Sequence, residues 1–197
     1  MFALLFATLG LLVPVLSAPA AIRRASAQCA DVMVIFARGT TEPAPIGTIV
    51  GPPLQAALQS QLKGQTLSFQ GVDYPADIPG FLEGGDKQGS QTMADDLTNA
   101  ANSCPNAKIV TAGYSQGGQL VHNSANLISS DVASRINAAV IFGDPDNGTD
   151  VTGVANLKVT CHDGDNICQH GDLVLPPHLT YGADTPASAQ FIVQSIQ

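Results

Sequence analysis

Positive charge is scarce in this chain: of 197 residues, 8 are Lys or Arg against 16 Asp or Glu, a formal net charge of −8. Such a surface repels polyanions, so nucleic acid and anionic lipid headgroups are excluded as partners. Closely spaced Cys-x-x-Cys pairs are missing as well, which removes the usual reading of cysteines and histidines as a zinc site. The segment His162-Asp163-Gly164-Asp165-Asn166 lacks the alternating oxygen ligands and closing Glu of a calcium loop, so no metal is expected. There is no internal repeat, low-complexity tract or interdomain linker. With 45% hydrophobic and 12% charged residues, the sequence describes one globular domain with a sizeable core.

A long apolar run occurs at the start of the chain, where Phe2 to Ile22 carry no charge. About 20 apolar residues would also suffice for a membrane span. Pro14 and Pro19 interrupt the run, however, and Ser17-Ala18-Pro19-Ala20 followed by Arg23-Arg24 supplies the small residues that cleavage needs. Residues 1–20 are therefore read as a signal peptide, with trimming possible to about residue 28, and 29–197 as the domain of a secreted, extracellular protein. Excluding residues 1–24 removes two basic residues and no acidic ones, so the remaining charge is 6 − 16 = −10. No stable membrane insertion is expected.

Cys29, Cys104, Cys161 and Cys168 all lie in the mature part, and an even set behind a secretory signal implies two disulfides with three possible pairings. Cys161–Cys168 is the natural small loop, which leaves Cys29–Cys104. The loop-entropy relation assigns the short bridge about 2.5 kcal/mol and the long one about 4.5 kcal/mol, upper values because native strain subtracts from them. The triplet Asn147-Gly148-Thr149 is a glycosylation sequon compatible with secretion.

Short β-branched runs recur at Val32–Ala37, Leu67–Val72, Lys108–Ala112, Ala138–Phe142 and Leu157–Thr160, each bounded by Gly, Asp or Pro as buried parallel strands are. Between and after them, Leu54–Leu62, Ser90–Asn102, Gly117–Ile128 and Pro186–Ile196 have helical spacing, with Ser90 a candidate N-cap and Met93 and Leu97 on one face. This alternation predicts an α/β fold of three layers, a mainly parallel sheet between helices.

The chemistry is concentrated at Gly113-Tyr114-Ser115-Gln116-Gly117. A Gly-x-Ser-x-Gly pattern alone is weak, but here a buried strand ends just before it and an amphipathic helix begins just after. Ser115 thus falls on the strand-to-helix turn of a nucleophile elbow. The flanking glycines fit a turn in which neighbouring backbones come too close for a side chain. Amides at the helix N-terminus face the serine, where they stabilise a developing anion. A serine hydroxyl is inert until a base takes its proton, so a carboxylate and a histidine are required downstream, in that order. His122 lies about 10 Å along the elbow helix and is expected at the surface. His162 and His170 flank the small cysteine loop, and His178 sits in Pro176-Pro177-His178-Leu179. Spacing leaves His170 and His178 nearly tied, and does not separate Asp163 from Asp165 or remove Asp172.

Four pieces carry a resemblance to the cutinase family: Phe36-Ala37-Arg38-Gly39-Thr40-Thr41-Glu42, Gly113-Tyr114-Ser115-Gln116-Gly117-Gly118, Cys161-His162-Asp163-Gly164-Asp165-Asn166-Ile167-Cys168 and Pro177-His178-Leu179-Thr180-Tyr181-Gly182. They occur in the family's order, and the likeness spans roughly Cys29 to Ile196. The resemblance implies a five-stranded α/β/α hydrolase fold without a lid, with the triad Ser115, Asp165 and His178. It implies an oxyanion hole from the backbone N–H of Gln116 and the backbone and hydroxyl of Thr40, a threonine where the best-known members carry serine. It also implies the cysteine pairing reached above.

Substrate specificity is only sketched. Leu175 and Leu179 beside the candidate base, with Val174 and with Ile78, Phe81 and Leu82 from the Gly/Pro-rich stretch 75–85, could form an apolar rim for an acyl chain or polymer surface. The expectation is a monomeric serine esterase, without cofactor, acting on cutin polyester and short-to-medium acyl esters at an interface. Acetylxylan esterase is the alternative within the family, since Gly117-Gly118 and Phe142-Gly143-Asp144-Pro145 look at least as much like that branch. A catalytically inactive surface-binding protein is the alternative of another class.

Overall fold

Parallel pairing of five strands organises residues 29–197, the residues described by a computed structural model. The signal-peptide reading falls outside them. The strands are β1 (Val32–Ala37), β2 (Leu67–Gly71), β3 (Lys108–Tyr114), β4 (Ile136–Phe142) and β5 (Leu157–Thr160), in the spatial order β2-β1-β3-β4-β5. All four pairings are parallel. The three inner strands are almost wholly buried, whereas edge strands β2 and β5 are half-buried. That gradient explains why the inner strands read as continuous apolar runs.

Side chains alternate between two cores, as the pleat requires. Met33, Ile35, Ile109, Ala139 and Ile141 pack against one helical layer, α3 (Lys87–Ser103) and α4 (Gln116–Ala125). Val34, Phe36, Val110, Val140 and Phe142 pack on the opposite face against α1 (Gly51–Gln61) and α6 (Thr185–Ser195). Two short helices, α2 (Ile78–Leu82) and α5 (Ser130–Ala133), complete the set. Among the described residues no helix is long and apolar enough to cross a membrane.

Both expected disulfides are present. Cys29–Cys104 ties the segment before β1 to the end of α3, and Cys161–Cys168 closes the loop after β5. Several element ends differ from the sequence reading. β3 runs on to Tyr114 and β4 starts at Ile136, because sheet pairing on both sides carries strand conformation past residues that lack strand propensity. Helix α3 begins at Lys87 rather than Ser90. Its cap is Asp86, whose side chain accepts from the Gly89 N–H, while Ser90 is buried one turn in and donates to the Asp86 carbonyl. An aspartate facing the free amides of a helix start is as good a cap as serine.

Candidate active site

The register brings the ends of the strands into one row. Ala37 pairs with Gly113, Tyr114 with Phe142, and Phe142 with Thr160, so residues 38–40, 115, 143 and 161–165 leave the sheet side by side at its C-terminal edge. In open α/β sheets that edge is where ligands bind.

Ser115 connects β3 to α4 with φ 56° and ψ −123°, a conformation that costs a non-glycine residue on the order of 1–3 kcal/mol. Its backbone is pinned on both sides: Ser115 N–H donates to the Phe142 carbonyl at 2.9 Å, and its carbonyl accepts from Gly118 N–H at 2.7 Å. A Cβ on Gly113 would lie 2.2 Å from the Gly117 carbonyl oxygen, and one on Gly117 would lie 2.0 Å from that of Ala37. Both glycines are thus required by close approach, as the elbow reading anticipated.

Asp165 and His178 meet in the buried floor. His178 Nδ1 is 2.8 Å from Asp165 Oδ2. The same carboxylate accepts from the Tyr181 hydroxyl at 2.6 Å and, through Oδ1, from the Ile167 N–H at 3.0 Å. Burial alone would raise the Asp165 pKa. The hydrogen bonds from Tyr181 and His178, the charge of His178 and the Ile167 amide together hold it below the usual carboxylate value. An ionised Asp165 accepts a hydrogen bond from Nδ1–H, which leaves Nε2 as the basic nitrogen. Nε2 is buried and has no hydrogen-bond partner, Ser115 Oγ included. Tyr114, the variable residue of the elbow pattern, stacks on the His178 ring at 5.2 Å and donates from its hydroxyl to the His178 carbonyl at 2.9 Å.

The other histidines are engaged elsewhere. His170 is exposed and its Nδ1 lies 2.8 Å from the Pro145 carbonyl. His162 lies between the Pro177 carbonyl and Asp184. His122 is buried, not on the surface as its position along α4 had suggested, and pairs through Nε2 with Asp144 at 3.0 Å. The reason is that α4 is enclosed nearly all round, so residues 116–122 are all buried. Asp163 is exposed, whereas Asp165 is fully buried. Among the described residues, the one set of His, Cys, Asp and Glu with ligand atoms within 4.8 Å of each other is His122, Asp144 and Asp146; none of the three lines the cavity described next.

That cavity, about 690 Å³, is lined by Thr40, Ser115 and His178 at its base and by Ile78, Phe81, Leu82, Val174 and Leu179 around them. Leu175 is not part of the lining. Its backbone is extended at φ −98° and ψ 163°, so adjacent side chains diverge, and Val174 takes the inward place that the sequence reading gave to both. Asp172 also lines the cavity but has no hydrogen bond to a histidine among those of the described residues.

Sequence reasoning assigned Gln116 a backbone role alone, and missed what its side chain does. The amide is fully buried, and Nε2 donates to Thr40 Oγ1 at 3.0 Å and to the Asp77 carbonyl at 2.7 Å. One side chain therefore joins the elbow, the turn after β1 and the start of α2. Glu42 shapes the same turn, accepting from the amides of Gly39, Thr48 and Ile49 at 2.8–2.9 Å. Buried Arg38 donates to the Glu42 and Tyr74 carbonyls, each at 2.7 Å.

Known proteins are similar to this chain in sequence and fold. The sequence pattern of the cutinase family matches residues 28–196. A cutinase of Botryotinia fuckeliana is 57% identical over 180 residues, 90% of this chain and 89% of the relative. The solved Trichoderma reesei cutinase in complex with a C11Y4 phosphonate inhibitor superposes with a TM-score of 0.83 at 46% identity, covering 86% of this chain and 78% of that one. An iodinated complex of acetyl xylan esterase reaches a TM-score of 0.70 at 23% identity over 86% of this chain and 100% of its own, a likeness of fold alone. With a family match over the whole domain and a relative more than half identical along nearly its full length, the chain belongs to the cutinase family and is a carboxylic ester hydrolase of the serine esterase kind.

Proposed function

We propose that the protein is a secreted cutinase that hydrolyses polyester and short-to-medium chain acyl esters through an acyl-enzyme on Ser115. His178 Nε2 takes the hydroxyl proton as Oγ attacks the ester carbonyl, and Asp165 fixes the imidazole tautomer and stabilises its charged form. The tetrahedral oxyanion is received by the N–H of Gln116 and by the N–H and hydroxyl of Thr40. His178 then returns the proton to the leaving alcohol. Water, activated by the same imidazole, releases the acid. The serine hydroxyl must turn toward Nε2 once substrate is bound, a tightening common in resting serine enzymes. Since Thr40 Oγ1 already accepts from Gln116 Nε2, its own proton is free for the oxyanion.

The observation that carries this reading is the buried His178–Asp165 pair, whose unpartnered nitrogen belongs to a cavity that Ser115 also lines. A binding module has no need of such a pair at a strained serine. Its test is treatment with an alkyl phosphonate ester followed by peptide mapping. Stoichiometric label on Ser115 is expected, with Ser115→Ala unlabelled and its turnover lower by about a millionfold; an active wild type labelled elsewhere would refute the assignment.

The substrate class follows from the rim. Ile78, Leu82, Val174 and Leu179 are each at least half exposed around the cavity mouth, a run of apolar surface that suits an acyl chain better than a polysaccharide. Acetylxylan esterase is the second reading, on the strength of the Phe142-Gly143-Asp144-Pro145 segment. Assay on esters of graded chain length beside acetylated xylan separates them, since strict preference for acetyl would select the second. Secretion by a signal peptide over residues 1–20 and a monomeric state complete the proposal.

A further inference from the structure

A third histidine–carboxylate pair lies behind the loop that carries His178, and the triad reading makes no use of it. His162 follows Cys161 just after β5. Its Nδ1 is 2.9 Å from the Pro177 carbonyl oxygen and its Nε2 is 2.8 Å from Asp184 Oδ2. The ring stacks on Tyr181 with centroids 4.1 Å apart. The Tyr181 hydroxyl accepts from the His162 N–H at 2.9 Å and donates to Asp165 at 2.6 Å. One residue thus touches both the peptide preceding His178 and the ring that holds the carboxylate paired with His178.

Counting protons favours the charged form of this imidazole. A neutral ring has one N–H and one lone pair, yet the shortest contact of each nitrogen is to an oxygen that only accepts. A neutral His162 would set a lone pair against either the Pro177 carbonyl or the Asp184 carboxylate, whereas the imidazolium donates to both. Thr180 Oγ1 lies 3.2 Å from Nδ1, but its hydrogen is given to the Pro177 carbonyl at 3.0 Å. The titratable groups around the ring are Asp184 and Tyr181 from the 3-10 turn Tyr181–Asp184 and Asp165 from the bridged loop. Burial would lower the His162 pKa. The Pro177 carbonyl, the hydrogen bond and charge of Asp184, and the charge of Asp165 outweigh it and raise the pKa above the ordinary histidine value.

We propose that His162, charged and clamped between Pro177 and Asp184, is a positioning residue that sets where the His178 ring stands, so that losing its proton lowers turnover. The proposal rests on the reading of Ser115, Asp165 and His178 as the triad. Its sign follows from the direction of the shift: the clamp is complete below about pH 6.5, the ordinary value, and is lost as pH rises through the higher folded value. Turnover should step down to a lower, non-zero plateau on the alkaline side.

The test is ring-nitrogen NMR on the whole domain beside the pH profile of kcat on a soluble butyrate ester. Both His162 nitrogens should carry protons at pH 6.5, and the NMR titration and the alkaline step in kcat should share one midpoint. Across the step kcat should fall about tenfold, well short of the hundredfold that a 1 Å misplacement brings, with KM unchanged. Asp184→Asn should move both midpoints down together, and His162→Gln should abolish the step, leaving the low plateau throughout. A neutral His162 at pH 6.5, or an NMR midpoint that moves without the kinetic one, overturns the proposal. Phosphonate labelling of the wild type keeps the two readings apart, because absence of label at Ser115 condemns the triad while the NMR titration still reports on His162.

Discussion

Asp165 accepts three hydrogen bonds at the floor of the cavity, while Val174 and Leu179 at its mouth stand 58% and 50% exposed. The floor is over-determined. The serine backbone is pinned by strand β4 and by its own helix, the histidine is stacked on one tyrosine, and the carboxylate is gripped by another. The mouth consists of short segments, α2 and residues 172–179, whose apolar side chains have much of their surface in water. Chemistry needs fixed distances, so a substitution at the floor should act on kcat by orders of magnitude. Adhesion to a flexible chain needs only apolar area, so a substitution at the mouth should act on substrate preference and by small factors.

The sharpest way to break this contrast is to alter the floor without altering its shape. Asp165→Asn keeps the size of the side chain but presents an amide that can donate to His178, which favours the wrong tautomer. Turnover should fall by about ten-thousandfold at neutral pH with KM little changed. Stability should lose the part of its acid dependence that Asp165 contributes in the same variant. The Asp165 pKa is lowered by folding, so the carboxylate stabilises the native state above its unfolded value, about 3.9, and ceases to do so as pH falls through the folded one. Equilibrium urea unfolding at a series of acid pH values measures this, and an Asn variant whose pH dependence matched the wild type would contradict it.

A smaller effect is expected at Thr40, which stands between the two regions and lines the cavity while accepting from Gln116. Thr40→Val removes the hydroxyl, keeps the backbone N–H and leaves the buried Gln116 amide one acceptor short. A loss of about a hundredfold in kcat is expected, the lower end for removing one oxyanion donor. Thr40→Ser should retain most of the activity. Activity kept in Thr40→Val but lost in Thr40→Ser would mean that the methyl, not the hydroxyl, is what matters.

The legibility of the sequence divides along the same line. β1 was readable to the residue because a buried parallel strand is written as an unbroken apolar run. The elbow glycines were readable because their requirement is local, set by residues no more than four apart or on the adjacent strand. The histidine proposed to serve Ser115 was not readable from spacing, since nothing in the separation of residues 115, 165 and 178 distinguishes His178 from His170; resemblance to a family chose between them. Tyr181 under Asp165, Tyr114 under His178 and the Gln116 side chain across to Thr40 left no local trace, because each contact spans 16 to 76 residues. Helix α2 was hidden by Pro79 and Gly80, which ordinarily break helices, yet it forms because Pro79 lies in its first turn and the Asp77 side chain caps Gly80 N–H at 2.8 Å. His122 was misplaced because a pattern along one helix says nothing of how deeply neighbours enclose it.

The rim supplies the smallest effect and the one that most directly tests what the mouth is for. Each methylene moved from water into apolar contact contributes about 0.8 kcal/mol, close to a fourfold change in affinity. Leu82→Ser and Leu179→Ser leave Ser115, His178 and Thr40 untouched, and both positions are at least half exposed, so folding should be preserved. The ratio of kcat/KM for an octanoate ester to that for a butyrate ester should fall about threefold to tenfold in the double variant, through KM, while butyrate turnover holds. Adsorption to a polyester film should weaken in parallel, because the same side chains would meet the surface. If butyrate turnover fell as much as octanoate turnover, the rim would be shaping the floor, and the division between a rigid base and an adhesive mouth would be wrong. If neither changed, the acyl chain would have to lie along the Thr41–Thr48 side of the cavity, which also contributes to its lining, and substrate preference would be written in the turn after β1 instead.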